Sequence, residues 1–251
     1  TSITFFSSFL IAALKTNIIG VNNLIRAAIK NDVKKVIDVS TDKAVDPINV
    51  YGMTKAIGEK LIIHANTLTE HTKFVCIRGG NVLGTNGSVV PYFINQVKKF
   101  NKITITDPEM TRYFLTLKQA IGLLFKAIIN SIGGETFVMK MPGYKIVDIA
   151  KIIKGEFGDE NCEIKIIGKR PGEKLHEILI SRYESENAYC YDDDYFVILP
   201  QIEIGDLKEY YRRLKLKPLG KREYSSCDNL LGLEKAKEML IKGGFIVSNK
   251  A

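Results

Sequence analysis

Apolar residues at Ile18, Ile19, Val21, Leu24, Ala27, Ala28 and Ile29 recur at helical spacing, which predicts a helix over residues 17–30 ended by Asn31-Asp32. The pattern then changes period. Residues 36–39 form a short β-branched run with Asp38 inside it, a strand signal, and Ser40-Thr41-Asp42-Lys43 leaves its carboxyl end as a loop. Pro47 precedes a second helical stretch over about 50–65, and residues 73–78 read as a strand running into the turn Gly79-Gly80-Asn81. Helix, strand, loop, helix, strand is the alternation that builds a parallel sheet with crossover helices. In such sheets ligands sit beyond the carboxyl ends of the strands, where residues 40–43 and 78–81 both fall.

Beyond residue 81 the rhythm is more broken. Gly84, Gly87 and Pro91 mark a loop, followed by predicted helices over 90–100, 115–130, 146–157 and about 233–241. Strands are expected over 103–106, 135–139, 163–167 and 195–199, with the loop Lys169-Arg170-Pro171-Gly172-Glu173-Lys174 after the third. This is an α/β chain, divided near Asn81 into residues 1–81 and 82–251, with about 113–140 expected to return to the first part. Residues 3–14 (ITFFSSFLIAAL) are almost all apolar but short of the roughly 20 residues that span a bilayer, and lack the basic start of a signal peptide. We read them as the start of a buried helix in a chain whose beginning lies upstream.

Composition changes this picture little. Of 251 residues, 45% are hydrophobic and 25% charged, ordinary values for a globular protein. Cys76, Cys162, Cys190 and Cys227 form no C-x-x-C pair, and only three histidines are present (His64, His71 and His176), so no metal site is expected. Reduced thiols suit a cytoplasmic protein. The net charge of +8 is scattered except for Arg212, Arg213, Lys215, Lys217, Lys221 and Arg222. That cluster lacks the interleaved aromatics of a nucleic-acid module, and a phosphate-rich small ligand accounts for part of the imbalance.

The chemistry concentrates around one helix start. Tyr51 and Lys55 lie one helical turn apart on a common face. An ammonium beside a phenol stabilises the phenolate, which equips Tyr51 to exchange a proton with a sugar hydroxyl. Spacing alone is a weak signal, because Tyr211 and Lys215 share it. The context is stronger: Thr41, Asp42 and Lys43 leave a strand eight residues before Tyr51, so a hydroxyl, an acid, an amine and a phenol share one sheet edge. The alternative for Asp42-Lys43 is a solvated turn.

The segment STDKAVDPINVYGMTKAIGEKL (residues 40–61) resembles the inverting UDP-N-acetylglucosamine 4,6-dehydratases, extended short-chain dehydrogenases of polysaccharide biosynthesis. RGGNVLGTNGSVVPYF, ITDPEMTRYF, KIIGKRPGEKLHEILIS and REYSSCDN agree with that family from about Leu14 to near the end. The resemblance implies a partial Rossmann-like parallel sheet in residues 1–81 and a smaller α/β part in 82–251 that binds the UDP-sugar. It implies Thr41, Asp42, Lys43, Tyr51 and Lys55 as catalytic residues, and NADP held in part by Ser40, Tyr51, Lys55 and Arg78. Asn81, Ser88, Val89, Thr106, Arg112, Arg170 and Glu173 are implied at the substrate, with Arg112 and Arg170 either on its diphosphate or in surface ion pairs. A lysine base requires a destabilised ammonium, so Lys43 is expected to be buried.

No G-x-x-G-x-x-G loop precedes the Thr41 strand, although this family uses one to cradle the cofactor pyrophosphate. Weak or no NADP binding by this chain alone is therefore expected. An open sheet edge would call for a homo-oligomer or a separate chain supplying the amino-terminal half. A UDP-sugar 4-epimerase, which shares Tyr51 and Lys55, and an inactive remnant that binds only nucleotide or a partner remain the competing readings.

Overall fold

The structure is a computed structural model and describes residues 10–85 and 87–247. Its elements follow in chain order: helix α1 (Val21–Lys30), strand β1 (Lys35–Thr41), α2 (Val50–His64), β2 (Lys73–Gly79), β3 (Asn81–Val82), α3 (Val89–Phe100), β4 (Lys102–Ile105) and β5 (Thr111–Leu115). They continue with α4 (Leu117–Asn130), β6 (Thr136–Met139), β7 (Gly143–Lys145), α5 (Ile146–Phe157), β8 (Glu163–Ile166), β9 (Ile178–Ile180), β10 (Ala188–Cys190), β11 (Tyr195–Ile198), α6 (Leu207–Arg213), β12 (Lys217–Pro218) and α7 (Leu233–Lys242). The α/β class read from the pattern is the class observed.

The chain forms two compact units. The first contains residues 1–79, 121–140 and 178–224, and the second residues 80–120, 141–177 and 225–251. The first unit holds a six-stranded sheet in the order β1-β2-β6-β11-β10-β12. Strands β1, β2 and β6 are parallel, whereas β11 and β10 are added antiparallel. Phe74, Val75, Cys76 and Ile77 are all buried, as a central strand covered on both faces requires. Phe74 and Cys76 pack with Ile25 and Ala28 of α1 and with Ile62 and Ile63 of α2. The larger of these, Phe74, Ile25, Ile62 and Ile63, contribute roughly 1.5–3 kcal/mol each when removed from water. Among the described residues β1 ends the sheet, and Val39 on it is 63% exposed.

The second unit is built around α3, α5 and α7. Val90, Phe93, Val97, Ile149, Ile153 and Leu240 share one core with the parallel pair β4–β8, whose Ile103 and Ile105 point into it. A three-stranded sheet β3-β5-β7 completes the unit.

Three readings of the pattern needed correction. The predicted helix over 115–130 starts later, because Thr111–Leu115 is a strand paired antiparallel with β7. Thr116 then caps the helix reciprocally: its Oγ1 accepts the Gln119 N–H at 3.3 Å, and Gln119 Oε1 accepts the Thr116 N–H at 2.8 Å. The helix over 17–30 begins with a wider π-turn at Lys15–Gly20. The buried helix expected from residue 3 lies mostly outside the described residues; residues 10–14 are helical, but Ile11 and Leu14 are exposed and only Ala13 is buried.

Beneath α2 the first unit buries a charge cluster. Arg78 is 3% exposed and uses all five guanidinium donors. Its Nε and Nη2 donate to Glu59 at 2.9 and 2.6 Å; Nη1 and Nη2 donate to Glu184 at 2.9 and 2.8 Å, and Nη1 also reaches the Leu179 carbonyl at 3.1 Å. Burial pushes the Glu184 carboxyl up, but Arg78 and the Ser181 backbone N–H outweigh it and hold it at about 2, against 4.5 ordinarily. A carboxyl depressed on folding stabilises the fold above its unfolded value, and that contribution is lost as pH falls through its folded value. Glu184 therefore supplies stability, on the order of 3 kcal/mol, that disappears between about pH 4.5 and 2. Urea unfolding of Glu184→Gln should show lower stability at neutral pH and a flatter decline over that acid range; an unchanged slope would remove the assignment.

Candidate active site

Strand β1 ends at Thr41, and a single 3₁₀ turn, Asp42–Ala44, carries the chain toward α2. Asn49 caps that helix, its Oδ1 accepting the Gly52 N–H at 2.9 Å. Gly52 is pressed against the turn: a Cβ there would lie 2.4 Å from the Lys43 carbonyl oxygen. Only a residue without a side chain lets the first turn of α2 come this close. The first turn of α2, which carries Tyr51, is thereby held against the Asp42–Ala44 turn.

Asp42 is the centre of the cluster. Its carboxylate is 0% exposed, and Oδ1 accepts the Thr41 hydroxyl at 2.8 Å and the Lys43 ammonium at 2.9 Å. Oδ2 is buried without a partner among the described residues, and so is the hydroxyl of Ser40. Both atoms lie at the carboxyl end of a parallel strand, the side of such sheets on which ligands bind. Tyr51 is 39% exposed, and Lys55 donates to the Val39 carbonyl at 3.3 Å. Thr54 anchors the same helix by donating to the Tyr51 carbonyl at 2.8 Å and accepting from Asn17 at 2.9 Å.

Two expectations are corrected. Lys43 is not buried: its side chain is 37% exposed, with its ammonium 2.9 Å from Asp42 Oδ1. Arg78 is not placed to hold a cofactor, since the carboxylates of Glu59 and Glu184 and the Leu179 carbonyl take every donor.

Of the implied substrate residues, Asn81 lies on β3 opposite Phe114. Ser88 and Val89 begin α3, and the Ser88 hydroxyl is another buried oxygen without a partner among the described residues. Thr106 follows β4, its hydroxyl 3.4 Å from the Met110 sulfur. Arg112 on β5 donates to the carbonyls of Thr111 at 2.7 Å, Leu175 at 3.1 Å and Lys174 at 2.9 Å, and lies 3.5 Å from Glu177. It braces the Lys169–Lys174 loop as well as carrying a positive charge. Arg170 is exposed on that loop, and Glu173 folds back to accept its N–H at 3.2 Å.

Sequence reading missed the supports of this site. Glu59, one turn beyond Lys55, ties α2 to Arg78. Asp38 faces Lys55 and Glu59 and lies 3.9 Å from the Cys76 sulfur; burial raises its carboxyl, Lys55 opposes that, and Glu59 adds to it. A lone acid inside an apolar strand run was the available signal for Asp38. Among the described residues no group of three His, Cys, Asp or Glu side chains could hold a metal ion. No helix of the described residues is long and apolar enough to cross a membrane.

The geometry can be set beside known proteins. Residues 3–199 match the family described as "Polysaccharide biosynthesis protein". The inverting UDP-N-acetylglucosamine 4,6-dehydratase of Campylobacter jejuni is 38% identical over 86% of this chain and 65% of its own length. A UDP-glucose 4-epimerase of Rickettsia canadensis is 37% identical over 93% and 69%, respectively. An uncharacterized membrane protein of Methanocaldococcus jannaschii is 44% identical over 75% and 59%. The chain thus spans some 59–69% of the length of these relatives. The X-ray structure of Pen from Bacillus thuringiensis superposes with a TM-score of 0.81 at 36% identity, covering 92% of this chain and 68% of that one.

The close approach of Gly52 generates a prediction. Gly52→Ala should cost about 2–3 kcal/mol by overpacking α2 against the Lys43 backbone. Gly155→Ala, in open space inside α5, should be neutral or stabilising by about 0.5–1 kcal/mol. Chemical denaturation of both variants checks the pair, and equal effects would contradict the packing argument.

Proposed function

Because the chain belongs to the polysaccharide biosynthesis protein family, we propose that it acts on a UDP-sugar as an inverting UDP-N-acetylglucosamine 4,6-dehydratase. The observation that carries this reading is the buried Asp42 carboxylate with the Lys43 ammonium and Thr41 hydroxyl both on Oδ1. Elimination of water needs an acid at one carbon and a base at its neighbour, and adjacent residues in one turn supply such a pair.

A nicotinamide cofactor, NADP in this reading, supplies a hydride acceptor and donor when bound. Ser40, Tyr51 and Lys55 would hold its nicotinamide end, and the unpartnered Ser40 hydroxyl fits that role. Tyr51, with its charge balanced by Lys55 and Thr41 nearby, takes the proton of the sugar C4 hydroxyl. The ketone so formed acidifies the C5 proton, because the carbanion is delocalised onto its oxygen. In the reacting form the Lys43 ammonium has passed a proton to Asp42 across their 2.9 Å contact, so the neutral amine removes the C5 proton and the protonated Asp42 gives its own to the departing C6 hydroxyl, which leaves as water. The 2.9 Å contact between Nζ and Oδ1 offers a path for the proton taken at C5 to return to the acid. With the hydride removed at C4 returned to C6, protonation of C5 on its opposite face completes the product and inverts that centre.

The second unit carries the nucleotide-sugar residues in this reading. Arg170, exposed on the loop, offers its planar fork to the diphosphate, and Arg112, whose donors go to the Thr111, Leu175 and Lys174 carbonyls, adds positive charge beside it. Glu173 is assigned to the ribose, and Asn81, Ser88, Val89 and Thr106 to the sugar and base. The side of β1 left unpaired among the described residues suits a further parallel strand, supplied by a separate chain or a homo-oligomer. Chemistry of this kind, with all four cysteines free, belongs in the cytoplasm.

A second reading is UDP-sugar 4-epimerisation, favoured by the relative of that name that matches 93% of this chain. Epimerisation uses Tyr51 and Lys55 but has no task for Lys43. Mass spectrometry of UDP-N-acetylglucosamine incubated with the chain and NADP separates the two, since dehydration removes one water and epimerisation leaves the mass unchanged. Lys43→Ala should lower water loss by about 10²-fold or more. Full elimination by that variant would sink the role of Lys43.

A further inference from the structure

Three side chains of the second unit form a hydrogen-bonded line that the proposed chemistry does not use. The Thr111 hydroxyl lies 2.8 Å from His176 Nδ1 and 2.6 Å from the Ser226 hydroxyl. Ser226 Oγ accepts the Glu177 N–H at 3.0 Å and reaches the Thr111 carbonyl at 3.3 Å. Thr111 and Ser226 are 1% and 0% exposed, and His176 is half-buried at the base of the Lys169–Lys174 loop. The line therefore ties β5, that loop and the segment after residue 224 together.

Its protons can run in two senses. With the imidazole neutral and protonated on Nε2, Ser226 donates to Thr111 and Thr111 donates to Nδ1. With Nδ1 protonated the order reverses, and Ser226 ends on the Thr111 carbonyl at 3.3 Å. Both hydroxyl donors are met in either sense, and Nδ1–H has the Thr111 oxygen as its acceptor, so Nδ1 can gain a proton without any group moving. The charges around it set the cost. Arg112 from β5 and Lys169 from the loop oppose an imidazolium, while Glu109 and Asp107 from the turn before β5 favour it. Both acids are already engaged, Glu109 with Lys145 at 3.0 Å and Asp107 with Lys169 at 3.5 Å. Burial first, then Arg112 and Lys169, hold the imidazole below its ordinary range.

We propose that His176 is the proton-linked group of the nucleotide-sugar site, so that a diphosphate held by the Lys169–Lys174 loop beside the Arg112 charge is bound together with a proton on His176. This rests on the reading above that the loop receives the diphosphate. A diphosphate neutralises the two cations that disfavour the imidazolium, and the Ser226–Thr111 line already offers Nδ1–H an acceptor. By linkage the ligand raises the proton affinity of His176, and the proton raises the affinity for the ligand by the same factor. Binding is then strongest at acid pH and weakens as pH rises through the ligand-bound titration of His176.

The probe is UDP-N-acetylglucosamine, whose diphosphate diester does not itself titrate between about pH 5 and 8. Calorimetry on the full chain near pH 6, in buffers of different ionisation heat, should report on the order of half a proton taken up per ligand. Affinity should be about three- to tenfold tighter at pH 5.5 than at pH 7.5. His176→Gln keeps an amide near Thr111 but cannot take the proton, so its binding should be independent of pH with no uptake. Uptake that persists in His176→Gln, or none in the native chain, overturns the proposal. Proton nuclear magnetic resonance of the unmodified chain gives a check that needs no variant: the His176 ring resonance should titrate about one unit higher with ligand present, and an unmoved midpoint would refute it. Failure of the native chain to bind the sugar nucleotide at any pH would instead remove the underlying reading of the loop.

Discussion

A guanidinium taken out of water must have each of its N–H groups met, and the first unit is organised around satisfying Arg78. Glu59 from α2, Glu184 and the Leu179 carbonyl converge on it. None of these groups could withdraw without leaving charge stranded in a low dielectric, which is far costlier than the net value of the pairs. Glu59 stands one helical turn beyond Lys55, so the same ion cluster that closes the core sets the rotation and height of the helix bearing Tyr51 and Lys55.

With α2 so pinned, the contact at its other end becomes tight. Gly52 meets the Lys43 carbonyl, the turn Asp42–Ala44 is held against the helix start, and Asp42 is carried fully out of solvent. Its carboxylate accepts a hydroxyl and an ammonium on one oxygen and leaves the other unmet. The hydroxyl of Ser40, one residue before Thr41 on the same strand, is likewise buried without a partner among the described residues.

The second unit shows a different economy. Arg112 spends its donors on the backbone of the loop that bears Arg170 and Glu173, and Thr111, His176 and Ser226 fasten the base of the same loop. The loop is fixed at its root and exposed at its tip, an arrangement that presents charge to a ligand from a rigid base.

The sequence by itself determined the α/β alternation, the long helices and the buried β2 run, because period and β-branching are local properties of consecutive residues. It also determined that Tyr51 and Lys55 share a helix face, since four residues make one turn. It did not determine the strands Gly143–Lys145, Ile178–Ile180 and Ala188–Cys190, each three residues long. Strands so short have no period of their own and exist only through their partners. Nor could local pattern decide the fate of Arg78 or Lys43. The partners of Arg78 lie 19 and 106 residues away in the chain, and only the folded core brings them to it. Lys43 is half-exposed because of where the turn emerges from the sheet, a matter of packing and not of residue type.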